Sequence, residues 1–292
     1  MSKIKLSRFQ AIPMAFGFVL LTALAGLISP APCYACGEPG KDGIGSLSGV
    51  INTYYPGVSS VPAGTTDITL GTAIGNTQTI AAGDLILIIQ MQDAEINSTN
   101  TDAYGNGSSG DIMPPTNPNP QAASGAIAIN SAGLYEFNIA TTPVGAGGGL
   151  LTLVAPLLNA YTDAAKTATF GQRRFQVVRV PQYASATLVG TVTATPWNGS
   201  VGGVVAFDVA GRLDFNGAGV DVSGQGFRGG RAMGSAYENI PTFMYVSDTH
   251  KNSGYKGEGI AGTPTEMWNG AAIVTGSGYP GGLKGEAILL DA

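Results

Sequence analysis

The side chains best suited to chemistry in this chain are hard oxygen donors. Asp93, Glu95, Asn97, Asn100, Asp102 and Asp111 fall within one polar stretch. Calcium prefers carboxylate, amide and carbonyl oxygens. The alternation Asp93-x-Glu95-x-Asn97 resembles the opening of a calcium loop, and Asp93, Glu95, Asn97 and Asp102 are the candidate ligands. An EF-hand needs glycine next and a carboxylate at its twelfth position; Ser98 and Tyr104 stand there, so this is not an EF-hand. A solvated polar loop is the preferred reading, and the calcium site is the alternative to it. Calcium is the one cofactor these donors suggest, and no other is indicated.

Other constellations are weaker. Paired carboxylates hydrolyse glycosides, and Asp208, Asp214, Glu238 and Glu258 are available, yet no spacing singles out a pair. The single histidine, His250, sits in the polar run Ser247–Asn252. It reads as a solvated loop residue rather than as part of a Ser-His-Asp site. Zinc sites built from several His and Cys are excluded by count. Gly226-Phe227-Arg228-Gly229-Gly230 lacks the Lys-Ser/Thr ending of a phosphate loop. Tyr54, Tyr55, Trp197, Tyr237, Tyr245, Trp268 and Tyr279 could stack on sugars, although core or turn packing is the commoner role of such residues.

The elements that would position these groups are strands. Apolar residues make up 44% of the 292 and charged residues only 11%, which excludes global disorder. The net charge of −5 argues against nucleic acid, which needs dense Lys and Arg. Glycine, at 44 residues, is roughly twice its usual share, without a collagen triplet.

Leu85–Met91 is a nearly continuous apolar run of strand length, expected to be buried on both faces. Thr66–Leu70, Leu150–Val154, Phe175–Val180 and Thr187–Thr193 are further strands. Leu134–Ile139 alternates, with Tyr135, Phe137 and Ile139 on the face expected to be inward. Tyr54-Tyr55-Pro56-Gly57 reads as a turn closing a strand over Val50–Thr53, and Asn159–Thr169 has the only helical tendency, which its threonines weaken. Asp93–Gln121 reads as a long exposed loop.

The fold class expected is all-β. A sandwich or small barrel over 45–190, with Leu85, Leu87, Phe137, Phe175 and Val177 in its core, precedes a Gly-rich, short-stranded segment over 191–292. Val204–Val209, Arg212–Phe215 and Val220–Val222 could form one coil of a β-solenoid or a meander of hairpins.

The N-terminus reads as an export signal over residues 1–35. Lys3, Lys5 and Arg8 precede an apolar stretch from Ala11 to Ile28, and a small-residue site ends at Ala35. Pro13 and Gly17 weaken the alternative of a retained membrane helix. Cleavage there would leave Cys36 first, where a bacterial lipoprotein carries its lipid. Cys33 stands where such signals usually have an aliphatic residue, so lipidation is the lesser expectation. Cys33 and Cys36 straddle the cleavage point, which argues against a disulfide framework.

Several stretches resemble the N-terminal region of large, mostly uncharacterised bacterial surface proteins with Gly-rich extracellular repeats. They are Asn52–Gly57, Ala82–Leu85, Gln90–Ala94, Gly171–Val177, Arg179–Tyr183, Gly226–Gly230 and Lys256–Thr263. The likeness runs from about Gly49 to Pro264 and brings no catalytic or binding residue with it. Such proteins usually continue further, so a chain stopping at Leu289-Leu290-Asp291-Ala292 reads as a fragment or truncated copy.

The function expected is a secreted or cell-surface structural or adhesive module without catalysis, its partners glycans or other surface proteins. The alternatives are a secreted carbohydrate-active enzyme and a calcium-stabilised carbohydrate-binding domain.

Overall fold

The computed structural model describes residues 37–96, 126–167, 171–229 and 257–263, with short strands at 254–255, 266–268, 273–275 and 284–285. The export signal, both cysteines and His250 lie outside the described residues. The described part is all-β: it contains strands, turns and bridges, and no helix.

In chain order the strands are β1 (Ile44–Val50), β2 (Thr53–Pro56), β3 (Asp67–Leu70), β4 (Ile74–Gly75) and β5 (Leu85–Gln92). Then come β6 (Glu95–Ile96), β7 (Ala126–Ala128), β8 (Tyr135–Ile139), β9 (Gly149–Thr152) and β10 (Arg174–Val180). β11 (Gln182–Tyr183), β12 (Ser185–Thr193), β13 (Asp208–Val209) and β14 (Leu213–Asp214) follow. The later short strands form two antiparallel pairs, 254–255 with 284–285 and 266–268 with 273–275.

The centre is an antiparallel sheet in the order β4-β2-β10-β5-β8. Its inner strands are dense in Ile and Val, which suit a pleated surface, and alternation splits them between two cores. Tyr55, Ile86, Ile88, Phe175 and Val177 pack against Ile68 and Leu151 of the β3–β9 pair. Tyr54, Leu85, Leu87, Val178 and Val180 pack on the other face with Val201, Val204 and Ala206. Burial on both faces is why β5 reads as an unbroken apolar run. β10 stops at Pro181, which has no N–H for a ladder.

A smaller parallel sheet, β1-β12-β14, lies beside this. β11 pairs with β13 in parallel, and Val192 bridges Val220 in the same sense. The short Gly-cornered pieces therefore pair with the preceding strands in parallel. A hairpin meander would pair them antiparallel with each other, so that alternative is corrected. The sequence places a boundary near residue 190; β12 runs across it, and Val205, Phe207 and Leu213 pack on Leu47, Ala186 and Leu188.

Two further expectations are corrected, and one weak helical tendency is not realised. Tyr54 and Tyr55 are not a turn: they lie in β2, fully buried, opposite Val178 and Val177. No helix forms over the described part of 159–169; Tyr161 and Ala164 make antiparallel bridges to Val61 and Arg173. Phe137 is 37% exposed and Tyr135 60%, whereas Glu136 and Asn138 are buried.

The reversal on β8 has a physical cause. β8 is an edge strand, and its inward polar side chains stand in for a missing neighbour. Asn138 Nδ2 donates to Ala155 O at 2.9 Å, and Ala155 N–H returns a bond to Asn138 Oδ1 at 3.3 Å. Glu136 accepts the N–H groups of Leu158 and Asn159 at 2.9 and 3.1 Å.

The same device recurs elsewhere. Gln176 pairs both ways with Gly202 at 2.9 and 2.8 Å, Asn52 with Ala206 at 2.6 and 3.1 Å, and Gln90 with Thr162 at 2.8 Å each way. Gly202 is required at its position. Its φ is +110°, and an added Cβ would meet the carbonyl oxygens of Thr195 and Pro196 at 2.7 Å.

Candidate functional site

Charged and amide side chains from distant segments converge on two largely buried polar clusters. In the first, the Asp84 carboxylate accepts Arg179 Nε at 2.7 Å, Ala81 N–H at 2.8 Å and Lys41 Nζ. Arg179 also donates to Asp42 at 2.5 Å, and Asp42 accepts the Gln182 N–H at 2.7 Å. Burial alone would raise the Asp84 carboxyl. The Ala81 N–H and the Arg179 and Lys41 cations outweigh it and hold the group below its ordinary value.

In the second cluster, Arg228 grips Glu258 through two nitrogens at 2.8 and 3.0 Å. Thr263 Oγ1 donates to Glu258 at 2.5 Å, and Gln172 bonds Gln92, Gly199 O and Thr263. Gln92 Nε2 donates to Gly259 O at 3.0 Å. Burial pushes the Glu258 carboxyl up, but Arg228 and Thr263 bring it below its ordinary value. Trp197 packs edge-on against Phe227, with ring centroids 5.5 Å apart. These residues tie 257–263 and 226–229 to the central sheet. Gln92, Gln172, Glu258 and Thr263 are buried, Arg228 is half-buried, and their polar groups bond one another.

The calcium candidates are only partly described. Asp93 is buried: its Oδ2 accepts Ser131 N–H at 3.0 Å, and its Oδ1 lies 3.9 Å from Arg173 Nε. Its backbone N–H, like that of Ala94, donates to Ile260 O. Glu95 lies in β6, half-buried. Asn97 and Asp102, with the loop from Asn97 to Gln121, lie outside the described residues. Among the described residues no group of three or more His, Cys, Asp or Glu could hold a metal.

The glycosidase candidates separate. Glu258 is held by Arg228, Asp214 pairs with Arg212 on the surface at 2.8 Å, and Glu238 lies outside the described residues. Of the aromatic candidates, Tyr54, Tyr55 and Trp197 are core.

Asp208 alone opens onto a groove, of about 610 Å³, where the ends of β5, β8 and β10 meet the 205–208 and 37–39 segments. Its walls include Leu85, Phe137, Val180, Val205 and Phe207, and Asp208 is the one carboxylate among its lining residues. Asp208 is half-buried and makes no side-chain hydrogen bond or ion pair with the described residues. Its backbone N–H donates to Pro181 O at 2.8 Å, which fixes the wall. Phe137 continues out of the groove to Tyr135, edge-on, at 6.1 Å between ring centroids. At Gly37, an added Cβ would overlap the carboxamide of Gln182, which is buried with no hydrogen-bond partner among the described residues.

Sequence reasoning missed this groove because its lining comes from distant segments, and because Phe137 was expected inside. The exposed side of β8 was the available signal: an aromatic pair alternating with polar residues that bond backbone. Fold and site together define an all-β protein with an apolar, solvent-open groove. No family model, curated protein or solved structure matches the chain.

Proposed function

We propose that the chain is an exported structural or adhesive module of the cell surface or extracellular space, without catalytic activity, whose partners are glycans or other surface proteins. The observation that carries this reading is the division of its side chains. The charged groups Asp84, Arg179, Arg228 and Glu258 are taken up in buried or half-buried ion pairs, while the groove offers solvent the exposed Phe137 and one carboxylate. Two positioned carboxylates are what a glycosidase usually needs.

The finer architecture proposed is a sandwich followed by the first turns of a solenoid-like stack. Its support is the parallel register: Gln182 pairs with Asp208, Ala186 with Leu213 and Val192 with Val220, so a step of 26 to 28 residues returns the chain to the same edge. The likeness to the N-terminal region of large repeat-bearing surface proteins fits such a stack. Lipid attachment at Cys36 remains the lesser route to the surface.

The test is an array of glycans and extracted surface proteins probed with the purified protein and with a Tyr135→Ala/Phe137→Ala variant. Retention by the wild type that falls at least tenfold in the variant is expected. Release of sugar from any arrayed glycan would overturn the non-catalytic reading.

A further inference from the structure

We propose that the groove beneath Phe137 and Phe207 binds a small apolar organic cation, with Asp208 as its counter-ion. The inference rests on the module reading above and gives its exposed site a ligand chemistry. The volume, about 610 Å³, lies within the range of small-molecule sites. The walls are aliphatic and aromatic, so the body of the ligand must be apolar to gain from burial.

Asp208 decides the charge. It is the one carboxylate among the lining residues, it is half-buried, and it has no cation of its own among the described residues. That isolation sets it apart from Asp42, Asp84, Asp163, Asp214 and Glu258, each of which faces an arginine. An ammonium placed against it would gain a charge-assisted hydrogen bond. Phe137, an exposed aromatic in the lining, is itself attractive to a cation. The chain's net charge of −5 adds a favourable long-range field.

The groove is also pre-formed. Leu85, Val180 and Phe137 stand on paired strands, and the Asp208 backbone is bonded to Pro181. Little ordering is then required on binding. Concavity favours a free small molecule over a flat protein face, so the occupant proposed is an arylalkyl- or alkylammonium ion.

The experiment is calorimetric titration of the purified protein with phenethylammonium, with the neutral isostere 2-phenylethanol, and with a lysine-bearing peptide, acetyl-Val-Lys-Val-amide. Phenethylammonium is expected to bind at least tenfold tighter than the alcohol. Asp208→Asn should remove that preference while leaving alcohol binding in place, and Phe137→Ala should weaken both. The wild-type comparison needs no variant, so a misfolded mutant cannot obscure the answer. Equal affinity for ammonium and alcohol, or binding of neither, overturns the proposal. Binding of the peptide alone overturns it too, because the occupant is then a partner's side chain. Array retention without ammonium preference rejects the cation and leaves the module reading standing; ammonium preference without array retention does the reverse.

Discussion

Arg179 is the residue on which most of the buried charge depends. It is 3% exposed and joins Asp84 to Asp42, while Lys41 closes the other side of Asp84. Removing one partner of a buried ion pair leaves the others charged and desolvated, which costs about 3–5 kcal/mol. Arg179→Ala should therefore lower the melting temperature by roughly 10 °C or more; a shift under about 2 °C would show that water already screens the cluster. The carboxyls set the acid limit. Asp84 and Glu258 are held below their ordinary values of 3.8 and 4.5, so their stabilisation is complete above those values. It is lost as pH falls through the lower folded values. Asp163, raised by burial despite Arg174, pulls weakly the other way. The tyrosines set the alkaline limit. Burial pushes Tyr54 from 10.0 up to about 12 and raises Tyr55, Tyr161 and Tyr183 as well. Their neutral forms are favoured in the fold, so stability is intact below pH 10 and declines as pH rises from there. Melting temperature followed across pH should show a plateau from about 5 to 10 with a fall on both sides; stability undiminished at both extremes would contradict this.

At the scale of elements, β8 separates pattern from burial. Alternation identified the strand but assigned its faces wrongly, because the apolar face was assumed to be the buried one. Glu136 and Asn138 face inward, where their oxygens and amides answer the backbone of 155–159. Leu87→Asp, on a β5 side chain 6% exposed, should prevent folding, since an unpaired buried carboxylate costs a large part of a domain's whole stability. Phe137→Asp, opposite it on the edge strand, should cost only about 1 kcal/mol. Equal damage from the two, read by circular dichroism and melting, would restore the original assignment of faces. The strands β3, β5, β10 and β12 were legible because long apolar or β-branched runs bounded by Gly, Asp and Pro have few other solutions. The parallel pairing of 182–193 with 208–220 was not, because short Gly-cornered strands carry no sign of their partner's direction. The groove was illegible for a related reason: Leu85, Phe137 and Asp208 meet only through the completed sheet. The calcium expectation also belongs to this scale. If Asp93, Glu95, Asn97 and Asp102 gather one ion, calcium at a hundredfold excess over its dissociation constant should add about 2.7 kcal/mol of stability and slow nicking between 93 and 121. Identical melting and cleavage in calcium and in chelator would reject the site.

At the scale of the whole molecule, the β scaffold is proposed to serve an exported chain. Asn52, Asp84, Gln92, Gln172, Arg179, Arg228, Glu258 and Thr263 come from seven separated stretches of the sequence and meet in largely buried contacts. Such residues hold the architecture together, and the groove and the exposed aromatics of β8 are left facing solvent. Export to the surface is the proposed setting for that division. The most direct measurement is therefore made on intact cells of the native host: surface labelling with a membrane-impermeant reagent, followed by mass spectrometry of the labelled protein's N-terminus. The account predicts a labelled protein that begins near Cys36. An unlabelled protein retaining Met1 inside the cell would contradict it.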